Sequence, residues 1–229
     1  MTDNVQITAG SGTTIAADDI SGVLHQRVKL TWGVDGSATD ASASNPLPIT
    51  PAATENHLGE VGGKTAVVSG SITRPADTTA YAAGDAVTDS TSSPTTLTFS
   101  NAARVNQGSG VIVGATLVDS ANQTTKGDFD LLIFDTTYTP DNDNAVFTPT
   151  DAELETCIGV IRFASGSFVI GDATSGAGGN AFCSGTITNN IAFKCGSGSA
   201  SLFGALVARS AYTPVSGEKF TIRLRILQD

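Results

Sequence analysis

From about Thr65 to its C-terminus the chain never holds a helical repeat of apolar residues; it breaks into short apolar runs separated by glycine, proline and asparagine. Those residues interrupt regular structure for different reasons: glycine reaches positive φ, proline lacks a backbone donor, and asparagine bonds back onto its own backbone. Only short elements fit between them, and the runs read as strands. The last is the clearest. Phe220, Ile222, Leu224 and Ile226 alternate with Thr221, Arg223 and Arg225, giving one apolar and one basic face. Further runs lie at residues 67–73, 95–99, 128–134, 157–163, 168–170, 191–193 and 202–208. Residues 111–118 are apolar on both faces, the pattern of a strand covered on both sides. Roughly eight or nine short strands with almost no helix predict an all-β fold, a sandwich or a barrel. A jelly-roll-like β-sandwich over residues 61–229 is the expected architecture. One short helix is expected at Thr150-Asp151-Ala152-Glu153, which matches a capping box after Pro149.

Composition narrows the class further. Of 229 residues, 40% are hydrophobic and 15% charged, which excludes a disordered acidic tail. The 12 basic and 22 acidic residues give a net charge of −10. Such a surface repels phosphate backbones, so no nucleic-acid partner is expected. No apolar run approaches the roughly 20 residues of a membrane-spanning helix, and the opening residues have neither the basic nor the apolar region of a secretory signal. No membrane partner is expected. Cys157, Cys183 and Cys195 are odd in number and lack C-x-x-C spacing; they read as small buried hydrophobes in a chain made and folded in a cytoplasm. A Cys183–Cys195 disulfide across a hairpin is left open by the sequence.

Residues 1–60 have a different texture. A small, polar, glycine- and threonine-rich stretch leads to a short alternating run, with Val28, Leu30 and Trp32 on one side and Arg27, Lys29 and Thr31 on the other. Gly33-Val34-Asp35-Gly36 ends that run with turn chemistry. Asn45-Pro46-Leu47-Pro48-Ile49-Thr50-Pro51 must then be extended, because each proline removes a donor and biases its predecessor away from helix. A glycine-containing linker follows. One amphipathic strand and a proline-stiffened extension cannot bury a core alone. The expectation is an extended N-terminal docking arm that lies on its own domain or adds a strand to another subunit, against the plainer alternative of a strand excursion within one domain.

The run Asp18-Asp19-Ile20-Ser21-Gly22, then Gln26-Arg27-Val28-Lys29, then Gly33-Val34-Asp35-Gly36, Asp40 and Asn45-Pro46-Leu47-Pro48 is similar to an N-terminal signature found in many virion structural proteins of tailed bacteriophages. The resemblance covers roughly residues 15–50. It recurs ahead of unrelated C-terminal regions, so it implies a shared docking or assembly element and no catalytic one. Arg27, Val28, Leu30, Trp32, Pro46, Leu47 and Pro48 are the arm residues expected to bind a partner.

Candidate reactive groups are few. A catalytic use of His25 or His57 would need a serine or cysteine partner and an orienting acid brought together by geometry, and nothing in the sequence marks such a trio. Asp141-Asn142-Asp143-Asn144 invites a calcium reading, but Val146 at the sixth position and Ala152 at the twelfth break the EF-hand pattern. What is left is a looser site using Asp141, Asp143 and Asp135, or a solvated turn. Asp128, Asp130, Glu153 and Glu155 are the carboxylates from which a glycosidase pair would be drawn, although the chain is only 6% aromatic. The glycine-rich stretch at residues 171–179 lacks the Lys-Ser/Thr ending of a phosphate loop and reads as a surface loop. Arg223 and Arg225 are the least expected charges: they belong either to an exposed face, paired with Asp128 or Asp130, or to a subunit contact. No catalytic residue, metal or cofactor is expected. The whole chain is expected to be a structural virion protein, a capsid decoration (cement) protein bound to the major capsid protein or other virion proteins as a homo-oligomer, with a trimer favoured. The alternative is a head-fibre, tail or baseplate component that binds a host glycan or receptor.

Overall fold

The computed structural model describes residues 17–26, 30–32, 39–44, 46, 64–121, 123–170 and 181–229. The chain divides into two compact units, Met1–Gly59 and Glu60–Asp229.

In the first unit, β1 (Ala17–Ile20) and β2 (Val23–Gln26) form an antiparallel hairpin in which Ile20 faces Val23 and Ala17 faces Gln26. The two connecting residues, Ser21 and Gly22, both have positive φ, 56° and 84°. That is the primed turn whose twist matches the flanking strands, and Asp19 Oδ1 supports it by accepting from Gly22 N at 2.8 Å. A second pair joins β3 (Thr31–Trp32) to β4 (Thr39–Asp40), extended by Ala41 N donating to Leu30 O at 3.0 Å. Of the alternating run expected as one strand, the described residues Leu30, Thr31 and Trp32 take part in this pair. The hairpin before it was hidden because residues 17–26 hold no alternation of apolar and polar residues around Ser21-Gly22.

The second unit contains β5 (Lys64–Thr73), β6 (Ala86–Val87), β7 (Leu97–Phe99), β8 (Ser109–Asp119), β9 (Phe129–Phe134), α1 (Asp151–Leu154), β10 (Cys157–Phe163), β11 (Phe168–Ile170), β12 (Ala181–Ser184), β13 (Ile191–Lys194), β14 (Leu202–Ala208) and β15 (Lys219–Gln228). All pairing is antiparallel. One sheet runs β5–β15–β8–β12–β11, with β13 beside β12 on the same edge of β8; the other runs β10–β9–β14, with β6 and β7 sharing the far edge of β14. Setting aside the short edge strand β11, and taking β6 with β7 and β12 with β13 as broken single strands, leaves eight positions. Their order is first–eighth–third–sixth in one sheet and second–seventh–fourth–fifth in the other, the order of a jelly roll.

The core lies between the sheets. Phe220, Ile222, Leu224 and Ile226 of β15 are fully buried against Leu131, Ile133, Ile161 and Phe163 of the facing sheet. Phe129 packs edge-on against Phe220 at 5.0 Å and Tyr212 at 5.7 Å between ring centroids. The outer face of the second sheet is covered as well: Phe134, Tyr138 and Ala205 form a second apolar cluster with Phe147 and Phe203, and Tyr138 donates to Gly204 O at 3.0 Å. The capping box forms as expected, with Thr150 Oγ1 accepting from Glu153 N and Glu153 Oε2 accepting from Thr150 N at 2.9 Å.

Two buried polar clusters lie where β5 ends and β15 begins. Asp143 is 5% exposed; its carboxylate accepts from Arg74 Nη2 at 2.8 Å, Tyr81 OH at 2.6 Å and Thr88 N at 2.9 Å. Arg74 also donates from Nε to Tyr81 OH, while its Nη1 is buried without a partner among the described residues. In the second cluster Lys126 Nζ donates to Asp119 Oδ2 at 2.8 Å and to Ala121 O at 3.0 Å. Beside it, Glu218 accepts from Tyr212 OH at 2.6 Å and from Val215 N at 3.1 Å. Burial, then the neighbouring Asp119 carboxylate, pushes the Glu218 carboxyl up to about 8.

Removing one partner of a buried ion pair strands the other charge. Asp143→Ala is therefore expected to destabilise the fold by about 3–5 kcal/mol, read from urea denaturation. Glu218 titrates higher folded than unfolded, so its contribution is complete below the unfolded carboxyl pKa and is lost as pH rises through about 8. Stability of the native chain is expected to fall by several kcal/mol from mildly acidic to mildly alkaline pH, and Glu218→Gln to flatten that slope; an unchanged slope in the variant would refute the assignment.

Candidate docking face

β8 has apolar residues at both parities for a reason other than the expected one. Its inner residues Ile112, Ala115 and Leu117 are buried, but on the other face Val113 is 46% exposed and Val111, Thr116 and Val118 are half-buried. The expectation that this strand is covered on both sides is corrected. Its second apolar face belongs to an open sheet surface, since no described element of the second unit packs over it as Tyr138 and Phe147 do over the other sheet.

Strand register lays that surface out in rows. Val169, Phe182, Val118, Thr221 and Ser71 face one another across β11, β12, β8, β15 and β5. The next rows are Ser184, Thr116, Arg223 and Ser69, and then Gly114, Arg225 and Val67. Ala192, Val111, Leu227 and Thr65 close the face. Apolar side chains thus flank a centre made by two arginines. Val67, Val169, Phe182 and Leu227 are each about half exposed. β8 bulges at Val113, between the positions facing Arg225 and Ile226. The Arg225 guanidinium lies across Gly114, in the space that a Cβ would take; glycine is what allows this side chain to lie flat on the sheet.

Arg223 and Arg225 have no ion pair among the described residues. Their expected carboxylates lie on the opposite sheet and are otherwise engaged. Asp130 pairs with Arg162 at 3.1 Å and Arg209 at 3.0 Å, and Asp128 accepts from Ser165 N at 2.7 Å and Ser210 Oγ at 3.1 Å. These bonds, the Ser165 amide first, hold the Asp128 carboxyl below its ordinary value. The pairing of Arg223 or Arg225 with Asp128 or Asp130 is therefore corrected.

Of the arm residues, Leu30 and Pro46 are exposed, and Trp32 sits in β3 opposite Thr39. Arg27, Val28, Leu47 and Pro48 lie outside the described residues, as do His57 and the glycine-rich loop at 171–180. His25 is exposed on β2, facing Asp18. The aspartates of the looser calcium reading do not converge. Asp141 is taken up by Thr148 N and Oγ1, Asp135 accepts from Thr136 Oγ1, and Asp143 is neither a ligand of that kind nor a solvated turn residue but the buried anchor of Arg74. No group of three or more potential ligand side chains gathers for a metal among the described residues. Glu153 is held below its ordinary value by the amides of Thr139 and Thr150. Cys183 and Cys195 are buried free thiols, each raised by burial. Sequence reasoning missed Val169, Phe182 and Val113 as surface residues; the apolar residues at both parities of 111–118 were the available signal.

No helix among the described residues is long and apolar enough to cross a membrane. No protein-family model matches the chain, and no curated protein is similar to it in sequence.

Both arginines point away from the core, so Arg223→Glu with Arg225→Glu is expected to change unfolding free energy by no more than about 0.5 kcal/mol; a larger loss would mean that they support the fold itself.

Proposed function

We propose that the chain is a structural component of a tailed-bacteriophage virion, a capsid decoration protein that staples neighbouring shell subunits without covalent bonds. The observation that carries this reading is the open face of the six-stranded sheet, with Phe182, Val169, Val67 and Leu227 around Arg223 and Arg225. Buried apolar area contributes roughly 25 cal/mol per Å², and arginine at the centre of such a patch binds carboxylates bidentately. The resemblance of residues 15–50 to phage virion proteins supplies the context. In this reading the N-terminal unit is a second attachment point, which raises avidity through effective concentration. The partner is the major capsid protein or another virion protein, and copies of the chain act together, as a trimer where the shell has threefold positions.

The reading is tested by counting copies per particle against the major capsid protein by quantitative mass spectrometry. Hundreds of copies in simple ratio to the capsid protein are expected. A few to a few dozen would place the chain at the neck, tail or a fibre and favour receptor or glycan binding. Phe182→Asp with Arg225→Glu is expected to lower the bound copy number at unchanged melting temperature; full occupancy by that variant would sink the role given to this face.

A further inference from the structure

The six-stranded sheet ends at β5, whose outer edge pairs with no described strand of the second unit. β5 pairs with β15 along all of its length, and Arg74 N donates to Glu218 O at 2.9 Å, which fixes the phase of the pairing. Successive residues of an antiparallel strand point their N–H and C=O groups to opposite edges. Ala66, Val68, Gly70 and Ile72 accordingly face β15, and Thr65, Val67, Ser69, Ser71 and Thr73 turn both groups outward. Edge strands are ordinarily blunted by proline, bulges or interspersed charges. β5 contains no proline, its register with β15 has no shift, and its one charge is Lys64 at the end.

Beside the first half of this edge runs a groove of about 620 Å³. Lys64, Val67 and Ser69 line one side; Ser100, Asn101 and Arg104 line the other. Asn101 holds a left-handed conformation, φ 58°, that turns the chain into this opposing wall. No carboxylate lines the groove, and neither Lys64 nor Arg104 has an ion pair among the described residues. On a chain with 22 acidic and 12 basic residues, two unpaired cations beside open backbone donors and acceptors select for negative charge. The second wall also selects for shape. A single extended strand needs only the space beside one edge, whereas another folded sheet would bring further strands toward the wall of Asn101 and Arg104.

We propose that the β5 edge is a strand-addition site for an extended acidic segment of a partner protein. The segment's backbone pairs with Thr65, Val67 and Ser69, a stretch of about 17 Å, and its carboxylates meet Lys64 and Arg104. The site is independent of a virion origin, and its test needs no particle.

The test uses the full chain and three fluorescent peptides of about eight residues: alternating valine and glutamate, the same with lysine for glutamate, and the glutamate peptide N-methylated at alternate residues. Fluorescence anisotropy is expected to show saturable binding of the first and at least about tenfold weaker binding of the other two. Lys64→Glu with Arg104→Glu is expected to reverse the preference between acidic and basic peptides. Ser69→Pro removes an outward-facing donor, a position where an edge strand tolerates proline, and is expected to abolish binding at unchanged circular dichroism. Absence of saturable binding, equal affinity for all three peptides, or undiminished binding by a folded Ser69→Pro variant overturns the proposal. The N-methylated peptide tests the backbone pairing even where that variant fails to fold. Self-association of the full chain that Ser69→Pro abolishes would assign the groove to a second copy and overturn it as well.

Discussion

Strand β15 is paired along both edges, with β5 on one side and β8 on the other, and the rest of the second unit depends on that double pairing. Its ten residues supply the buried column Phe220, Ile222, Leu224 and Ile226 on one face and Thr221, Arg223, Arg225 and Leu227 on the other. A one-residue slip would exchange the two faces and place two guanidinium groups in the core. The inward aromatic and aliphatic residues therefore set the register, and the register in turn sets where the outward arginines stand.

The polar clusters at one end of the sandwich solve a different problem, that of holding long connections in place. Asp143 belongs to the segment that covers the outer face of the second sheet, Arg74 follows β5, and Thr88 follows β6. One carboxylate ties the chain on both sides of β6 to a segment more than 50 residues further on. Glu218 and Lys126 do the same for the approaches to β15 and β9. Buried charges of this kind contribute little net stability compared with apolar packing; what they add here is a defined path for segments without regular structure.

Much of the fold was legible because a period of two is a local signal. The strands over residues 157–163 and 202–208 fall where the alternation and length predicted them, and Thr150 with Glu153 marked the only α-helix among the described residues by its cap alone. The jelly-roll order is carried by inward-facing residues such as Leu131 and Ile222, which make no contact that can be read from spacing. Ala86–Val87 escaped notice because two residues show no period, and Ala181–Ser184 because its inward residues, Ala181 and Cys183, are small. The docking face was half legible. Arg223 and Arg225 stood out as cations on an acidic chain, whereas Phe182 and Val169 carry the residue types of a core and are exposed only because no other layer is stacked on their sheet. The open edge of β5 had no sequence signature at all, since an edge strand and an inner strand share the same alternation.

The pairing of the first strand of the sandwich with the last also governs how the chain leaves the ribosome. β5 and β8 are synthesised before β15 and flank a vacant position until that last strand of the sandwich is made. During translation the sheet therefore has a gap at its centre, with apolar faces and unpaired backbone groups exposed on both sides of it. Domains completed only by non-local pairing close slowly and are open to aggregation while they wait. Closure of this sandwich therefore waits on its last strand, and a chain cut before Lys219 would lack the strand that joins β5 to β8.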